Sequence, residues 1–140
     1  KRQAYNRSLK KADIAETDKQ HAVVLNDYRE MMGRRRLFLD ERLCRACLKH
    51  SRVCDAAKKI WHNGSDGSPS SRAKAEGFPT GVGENIAIGY DNPEETWTRG
   101  WYRASDHHRN GLGERWTCLG YGYAGRVGTQ NFAAIELPSR

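Results

Sequence analysis

The residues best suited to chemistry lie between positions 62 and 108. An apolar segment, Gly83-Glu-Asn-Ile-Ala-Ile-Gly89, carries Glu84, and the stretch after it delivers His107 and His108 in the run Ser-Asp-His-His-Arg. His62 lies upstream, in Ile-Trp-His-Asn-Gly. Two imidazoles and a carboxylate can hold Zn²⁺ and leave one coordination position for water or ligand. Without a metal, a carboxylate can orient an imidazole that acts as a base. The plainer alternative is structural: Glu84 pins a turn by hydrogen bonds, and His108 closes its helix as a cation at the negative end of the helix dipole. His107 is expected to face solvent, and His21 and His50 to serve the structure.

Cys44, Cys47, Cys54 and Cys118 form the other candidate set. Cys44-x-x-Cys47 is followed by Leu48, so the histidine that haem attachment needs is missing. Cys44, Cys47, His50 and Cys54 have the spacing of a four-ligand metal set. On one continuous helix, however, they span about 15 Å of axis and cannot surround a single ion. A Cys47–Cys54 disulfide fails similarly, because about 10 Å of axis exceeds the roughly 7 Å that a disulfide allows between Cα atoms. Two outcomes stay open: a disulfide from Cys118 to one of the helical three, or buried free thiols acting as small apolar residues.

The elements that must position these residues follow from periodicity. From Asp18, apolar residues recur at Val24, Leu25, Tyr28, Met31 and Met32, with Gly33 where a helix cap would fall. Leu37-Phe38-Leu39 reads as a connector, and Asp40 as the cap of a second helix. In that helix Leu43, Cys47, His50, Cys54, Ala57 and Trp61 recur at steps of three and four, so it is expected to bury one face and to end at His62. Residues 63–71 have loop composition, and residues 72–76 form a short helix stopped by Gly77. Gly83 to Ile88 is extended. Pro93-Glu94-Glu95 starts another helix, with Trp97 and Trp101 on its buried face. Residues 116–124 and 127–135 are strands joined through Gly125-Arg126, a link short enough for an antiparallel hairpin. The class is α+β: a three-layer α/β/α sandwich with a small antiparallel sheet flanked by helices.

One domain is expected over residues 18–140, preceded by a basic arm at 1–17. The net charge of +7 is uneven, with 16 Lys/Arg against eight Asp/Glu in residues 1–60 and eight against nine thereafter. Such a patch can meet polyanions or simply be solvated helix surface, the reading preferred here. No apolar run approaches the ~20 residues of a membrane span. The chain starts at Lys1 without Met or an apolar leader, which reads as processed or trimmed.

Residues from about 22 to 135 resemble the CAP superfamily (cysteine-rich secretory proteins, antigen 5 and pathogenesis-related 1 proteins), in its bacterial secreted branch. The most specific match is Gly83-Glu-Asn-Ile-Ala. Around it lie His50-Ser51, then His62 at the position of the family's first cavity histidine, then Arg72-Ala-Lys-Ala-Glu-Gly-Phe. Pro93-Glu-Glu, Trp101, Ser105-Asp-His-His-Arg, Gly120-Tyr-Gly-Tyr-Ala and Gln130-Asn-Phe follow in the family's order. The eukaryotic members' second glutamate falls at Ala104 here, and their second cavity histidine in a strand that reads Trp116-Thr-Cys118. The resemblance implies an exported protein and a cavity lined by His62 and Glu84, with His108 at its rim. The metal ligands, if Zn²⁺ is held, would be His62 and His108.

Three functions compete. The first is an exported domain binding a lipid, a small molecule or a cell-surface polymer at the His/Glu cavity, with or without a divalent metal. The second is a metal-dependent, peptidase-like hydrolase. The third is a polyanion-binding module using the basic first half. Nucleic acid is disfavoured, because interleaved exposed aromatics are missing. The order given is the order of preference, and an enzyme is the less favoured class.

Overall fold

The computed structural model describes residues 14–103 and 105–135. Most of the expected 1–17 arm therefore lies outside the described residues. Of its end, Ile14 is buried in the main core and Glu16 already opens the first helix.

Helix α1 (Glu16–Met31) is followed by the two-residue strand β1 (Phe38–Leu39) and helix α2 (Glu41–Ala57). Then come α3 (Pro69–Ala75), β2 (Gly83–Ile88), and a helical stretch that starts as α4 (Pro93–Glu95). That stretch widens to a π-turn over Thr96–Gly100 and tightens to a 3₁₀ turn over Trp101–Arg103. Helix α5 (Ser105–Gly111) and the strands β3 (Cys118–Ala124) and β4 (Val127–Ala133) complete the order.

The sheet order is β1-β3-β4-β2. β3 and β4 pair antiparallel across Gly125-Arg126, with Ala124 opposite Val127, as the short link requires. β2 pairs antiparallel with β4, placing Glu84 opposite Asn131. The segment read as a connector at 37–39 contributes a parallel edge pair, Phe38 with Cys118 and Leu39 with Leu119. Helices cover both faces, so the architecture is the expected α/β/α sandwich.

Alternation along β3 sorts the two faces. Gly120 and Gly122 turn toward α2, where a Cβ at either position would run into helix backbone between Leu43 and Leu48. Asp40 caps α2, its carboxylate accepting from the Arg42 N–H at 2.9 Å. The helix ends at Ala57, sooner than its apolar period implies. Lys58 takes a left-handed conformation, and the Lys59 N–H returns to the Cys54 carbonyl at 3.2 Å, the bond that closes a helix C-terminus. Ala57 is exposed, and Trp61 and His62 lie in the loop beyond.

On the opposite face, Leu119, Tyr121 and Phe132 pack with Leu25, Trp97 and Trp101. Both tryptophans are buried, as their four-residue spacing implies. Helix α1 departs from its pattern. Its buried positions are Asp18, His21, Ala22, Leu25, Asn26 and Arg29, whereas Met31 and Met32 are 74% and 48% exposed. Polar partners, rather than apolar count, select this face. Asn26 exchanges bonds with the backbone of Leu37 at 2.7 and 2.8 Å. Arg29 donates to the carbonyls of Arg35, Gly111 and Gly113 at 2.8–3.1 Å.

The four cysteines are buried free thiols. This decides against the disulfide alternative, and the reason is placement. Cys118 packs with Leu43, Ala73 and Phe78, while Cys44 and Cys54 belong to two other core clusters. Cys47 lies opposite Gly122, two pleats along β3 from Cys118 and thus about 13 Å away along the strand. Burial pushes the Cys44 thiol beyond the usual range and raises Cys118 to about 11, so neither is a ready nucleophile.

Candidate functional site

The loop after α2 carries His62, and a buried clasp fixes its path. His50, fully buried on α2, points Nε2 at the Trp61 carbonyl (2.7 Å) and Nδ1 at the Asp66 carboxylate (2.5 Å). The carbonyl can only accept, so Nε2 donates. Asp66 also accepts from the Trp61 indole N–H at 3.0 Å. Burial alone would raise the Asp66 pKa, but the His50 and Trp61 hydrogen bonds outweigh it and hold the carboxyl below its usual range. The expectation that His50 is structural is met: it ties residues 61–66 to the core.

Helix α3 supplies the next link. Ser68 caps it, exchanging bonds with Ser71, and Pro69 occupies its first turn. One turn on, Arg72 is only 8% exposed. Its Nη1 donates to the carbonyls of His62 (2.9 Å) and Gly67 (2.8 Å). Its Nη2 meets both oxygens of Glu84, at 3.1 and 2.9 Å. The Glu84 side chain is 2% exposed. It also accepts from His62 Nδ1 at 3.0 Å and, with the Asn131 amide turned to donate, from that residue at 3.1 Å. A buried carboxylate would be costly alone; here the Arg72 guanidinium, the His62 ring and the Asn131 amide satisfy it.

His62 and Glu84 thus meet, twenty-two residues apart in sequence, at a cavity of about 490 Å³ lined also by Asn85, Asp106, His107, Arg109, Asn110 and Gly113. The His62 ring is 53% exposed. Helix α5 forms the other wall, held by side-chain amides. Asn85 donates to the His107 carbonyl (3.1 Å) and to Gln130 (2.9 Å), and Asn110 donates to Asn85 (3.2 Å) and to the Glu84 carbonyl (3.3 Å).

The two histidines of α5 exchange their expected places. His107, read as solvent-facing, lines the cavity, where burial and then the nearby His62 lower its pKa against the opposing pull of Asp106. His108 does not line it. Successive helix residues point about 100° apart, and His108 turns into an aromatic cluster. Its Nε2 bonds the Tyr28 hydroxyl at 2.8 Å, and its ring stacks on Tyr102 at 4.7 Å. The ligand pair His62 and His108 is therefore not brought together. With His108 committed to Tyr28 and Glu84 to Arg72, the expected donor set does not fit Zn²⁺. Among the described residues no three His, Cys, Asp or Glu side chains gather in a form that could hold a metal.

Arg72, Asp66, Asn110 and the clasp through His50 escaped the sequence reading. Arg72 belongs to the short-helix motif of the resemblance, which assigns it no role in the cavity. A basic residue on a short helix just before a buried Glu is the one signal that points to the pair.

A three-layer sandwich with a histidine–glutamate cavity at one end of β2 is the architecture of CAP-type domains. The model of the CAP family, described as the cysteine-rich secretory protein family, matches residues 24–134, and the chain belongs to that family. A search of curated proteins finds no match. Among solved structures, the chain is similar to an extracellular protein containing an SCP domain from Bacillus anthracis, with 24% identity and a TM-score of 0.79 over 85% of this chain and 40% of that one. It is also similar to a cysteine-rich secretory protein from Staphylococcus aureus, with 12% identity and a TM-score of 0.72 over 85% and 38% of the two chains. An outer surface protein of Borrelia burgdorferi gives 14% identity and a TM-score of 0.70 over 81% of this chain and 89% of that one. The chain thus spans well under half of the first two neighbours. Among the described residues no helix is long and apolar enough to cross a membrane.

Proposed function

We propose that this chain is an extracellular CAP domain that binds a ligand, or an exposed group of a larger molecule, in the His62–Glu84 cavity. The observation that carries this reading is the His62–Glu84–Arg72 chain of hydrogen bonds. It spends a buried ion pair on fixing one half-exposed imidazole at the wall of a cavity large enough for a small molecule. The extracellular setting rests on the neighbours from Bacillus anthracis and Borrelia burgdorferi, described as extracellular and outer-surface proteins.

The metal-dependent hydrolase reading is less supported: His108, one of its two expected ligands, is turned to Tyr28, and among the described residues no three His, Cys, Asp or Glu side chains gather to hold a metal. The polyanion reading loses three cations of its first half. Arg29 is buried, Arg34 donates to the Leu112 carbonyl, and Arg36 is paired with Asp27 and Glu30.

A library of neutral and charged small molecules, followed through backbone amide shifts, tests the proposal. Ligands should move the resonances of Asn85, His107 and Asn110. Asp106→Trp, which fills the mouth from an exposed position, should abolish the effect. A library that leaves these resonances unmoved, or moves them equally in Asp106→Trp, overturns the cavity as the binding site.

A further inference from the structure

We infer that the cavity selects ligands bearing an oxyanion, a carboxylate or a phosphate, held between His62 and His107. This rests on the cavity being the ligand site and adds the chemistry it recognises.

Most polar atoms around the cavity already have partners within the fold. Glu84 supplies no usable negative charge: both its oxygens face Arg72, and His62 and Asn131 occupy it further. The Glu84–Arg72 pair is neutral as a unit. The lining amides are spent as well, Asn85 on the His107 carbonyl and Gln130, and Asn110 on Asn85 and the Glu84 carbonyl. What is left is imidazole. His62 Nδ1 is held by Glu84, so its Nε2 is the atom left over, and neither ring nitrogen of His107 has a hydrogen-bond partner among the described residues. Arg109 adds a guanidinium at the rim, 3.9 Å from an Asp106 carboxylate that is itself almost fully exposed and hence weakly felt. A site whose unpaired donors are two imidazoles and a guanidinium, with the exposed Asp106 carboxylate as the one opposing charge, complements an anion with acceptor oxygens, because charge-assisted N–H···O⁻ bonds are about twice as strong as neutral ones.

The same geometry sets the pH dependence. His62 faces Glu84 from β2, the Arg72 guanidinium from α3 and His107 from α5; His107 faces His62 together with Asp106 and Arg109 of its own helix. Burial and the neighbouring His62 disfavour the charged form of His107, and an oxyanion seated against its ring favours that form. Binding therefore takes up a proton, and affinity rises as pH falls.

The test is a titration of the full chain, following the histidine Cε1–H resonances, with three probes of similar size: benzoate, phenyl phosphate and benzamide. The two anions should shift His62 and His107 together and bind at least about fivefold more tightly than neutral benzamide. The affinity of benzoate, which keeps its charge throughout, should rise about tenfold from about pH 7.5 to about pH 5.5, while that of benzamide stays level; phenyl phosphate, whose second ionisation falls at about pH 6, is compared at about pH 7.5. Phenyl phosphate alone, without benzoate, would narrow the oxyanion to a phosphate such as a lipid headgroup; benzoate alone would narrow it to a carboxylate. His107→Gln, whose ring makes no hydrogen bond to lose, should bring the anions down to the level of benzamide. Equal binding of benzamide, or anion binding unchanged in His107→Gln, overturns the inference and leaves the cavity standing as a charge-indifferent site. If none of the three probes moves either histidine the inference falls, and the Asp106→Trp library then decides separately whether the cavity binds anything.

Discussion

On the face of the sheet covered by α2, Gly120 and Gly122 let strand backbone lie against helix backbone, and the contact is sealed by Ser51, whose hydroxyl donates to the Gly122 carbonyl at 2.8 Å. On the face covered by α1, the strands offer large side chains instead. Tyr121 stacks on His21 at 3.8 Å, and His21 in turn meets Gln130 at 2.5 Å. One face is set by the close approach of strand and helix backbone. The other combines large apolar side chains with buried polar pairs, such as His21 with Gln130 and Asn26 with the Leu37 backbone. The cavity is built at the end of β2, whose residues alternate between the two faces: Glu84 on the α2 side opposite Asn131, and Asn85 on the α1 side opposite Gln130. Both kinds of packing therefore converge on the site.

The sharpest way to break this contrast is to add one methyl group to each face. In Gly122→Ala the new Cβ would lie within 2.6 Å of backbone atoms of Cys47 and Leu48, which cannot yield without moving α2. A loss of about 3 kcal/mol or more is expected in denaturant melts. In Gly128→Ala the obstacle is the tip of Tyr121 at 2.7 Å and the Thr96 methyl at 3.2 Å, so the loss should be clearly smaller. Equal losses would mean that the two faces do not differ as described.

A second test reads the polar face through pH. Burial raises Asp18 from 3.8 to about 7, against the opposing hydrogen bond of Thr17. The folded chain thus keeps a proton that the unfolded chain releases near pH 4. The contribution of this group to stability is full below that point and is lost as pH rises through about 7. Asp18→Asn should leave stability near pH 4 unchanged and raise it at pH 8 by on the order of 2 kcal/mol. An unaltered pH profile in the variant would show that Asp18 is charged and paired in the fold.

The smallest effect is expected at Met31. Its sequence period assigns it to the core, yet it is 74% exposed, so Met31→Ala should change stability by less than about 0.5 kcal/mol. A loss above about 2 kcal/mol would restore the apolar-period reading of α1.

These contrasts mark what the sequence made legible. The hairpin at Gly125-Arg126, the Trp97/Trp101 face and the capped start of α2 each rest on a local rule, and each is present as read. The helical spacing of α1 is legible and places Val24, Leu25 and Tyr28 at the core, but the burial of His21, Asn26 and Arg29 rests on hydrogen bonds that reach partners up to 109 residues away, which no local period encodes. The end of α2 was placed late because Ile60 and Trp61 continue the apolar spacing although the chain has already turned at Lys58. At the site, the convergence of His62 with Glu84 came from the resemblance, not from spacing. The choice between His107 and His108 depended on the rotation of a seven-residue helix, which a dipeptide repeat leaves undetermined.

The strand order has a consequence for how the chain acquires its structure. The two strands at the centre of the sheet, β3 and β4, are the last two in sequence, while the first strand and β2 lie at the edges. As the polypeptide is synthesised from its N-terminus, α1 and α2 can coil early, but the surface that covers each of them is still missing. Gly120 and Gly122 arrive about seventy-five residues after the part of α2 they meet, and Gln130 arrives 109 residues after His21. The cost of closing such long loops precedes any gain from burial, so the late hairpin limits the rate. Consolidation of this domain therefore waits for residues 118–133, and a nascent chain halted before them holds helices without a core.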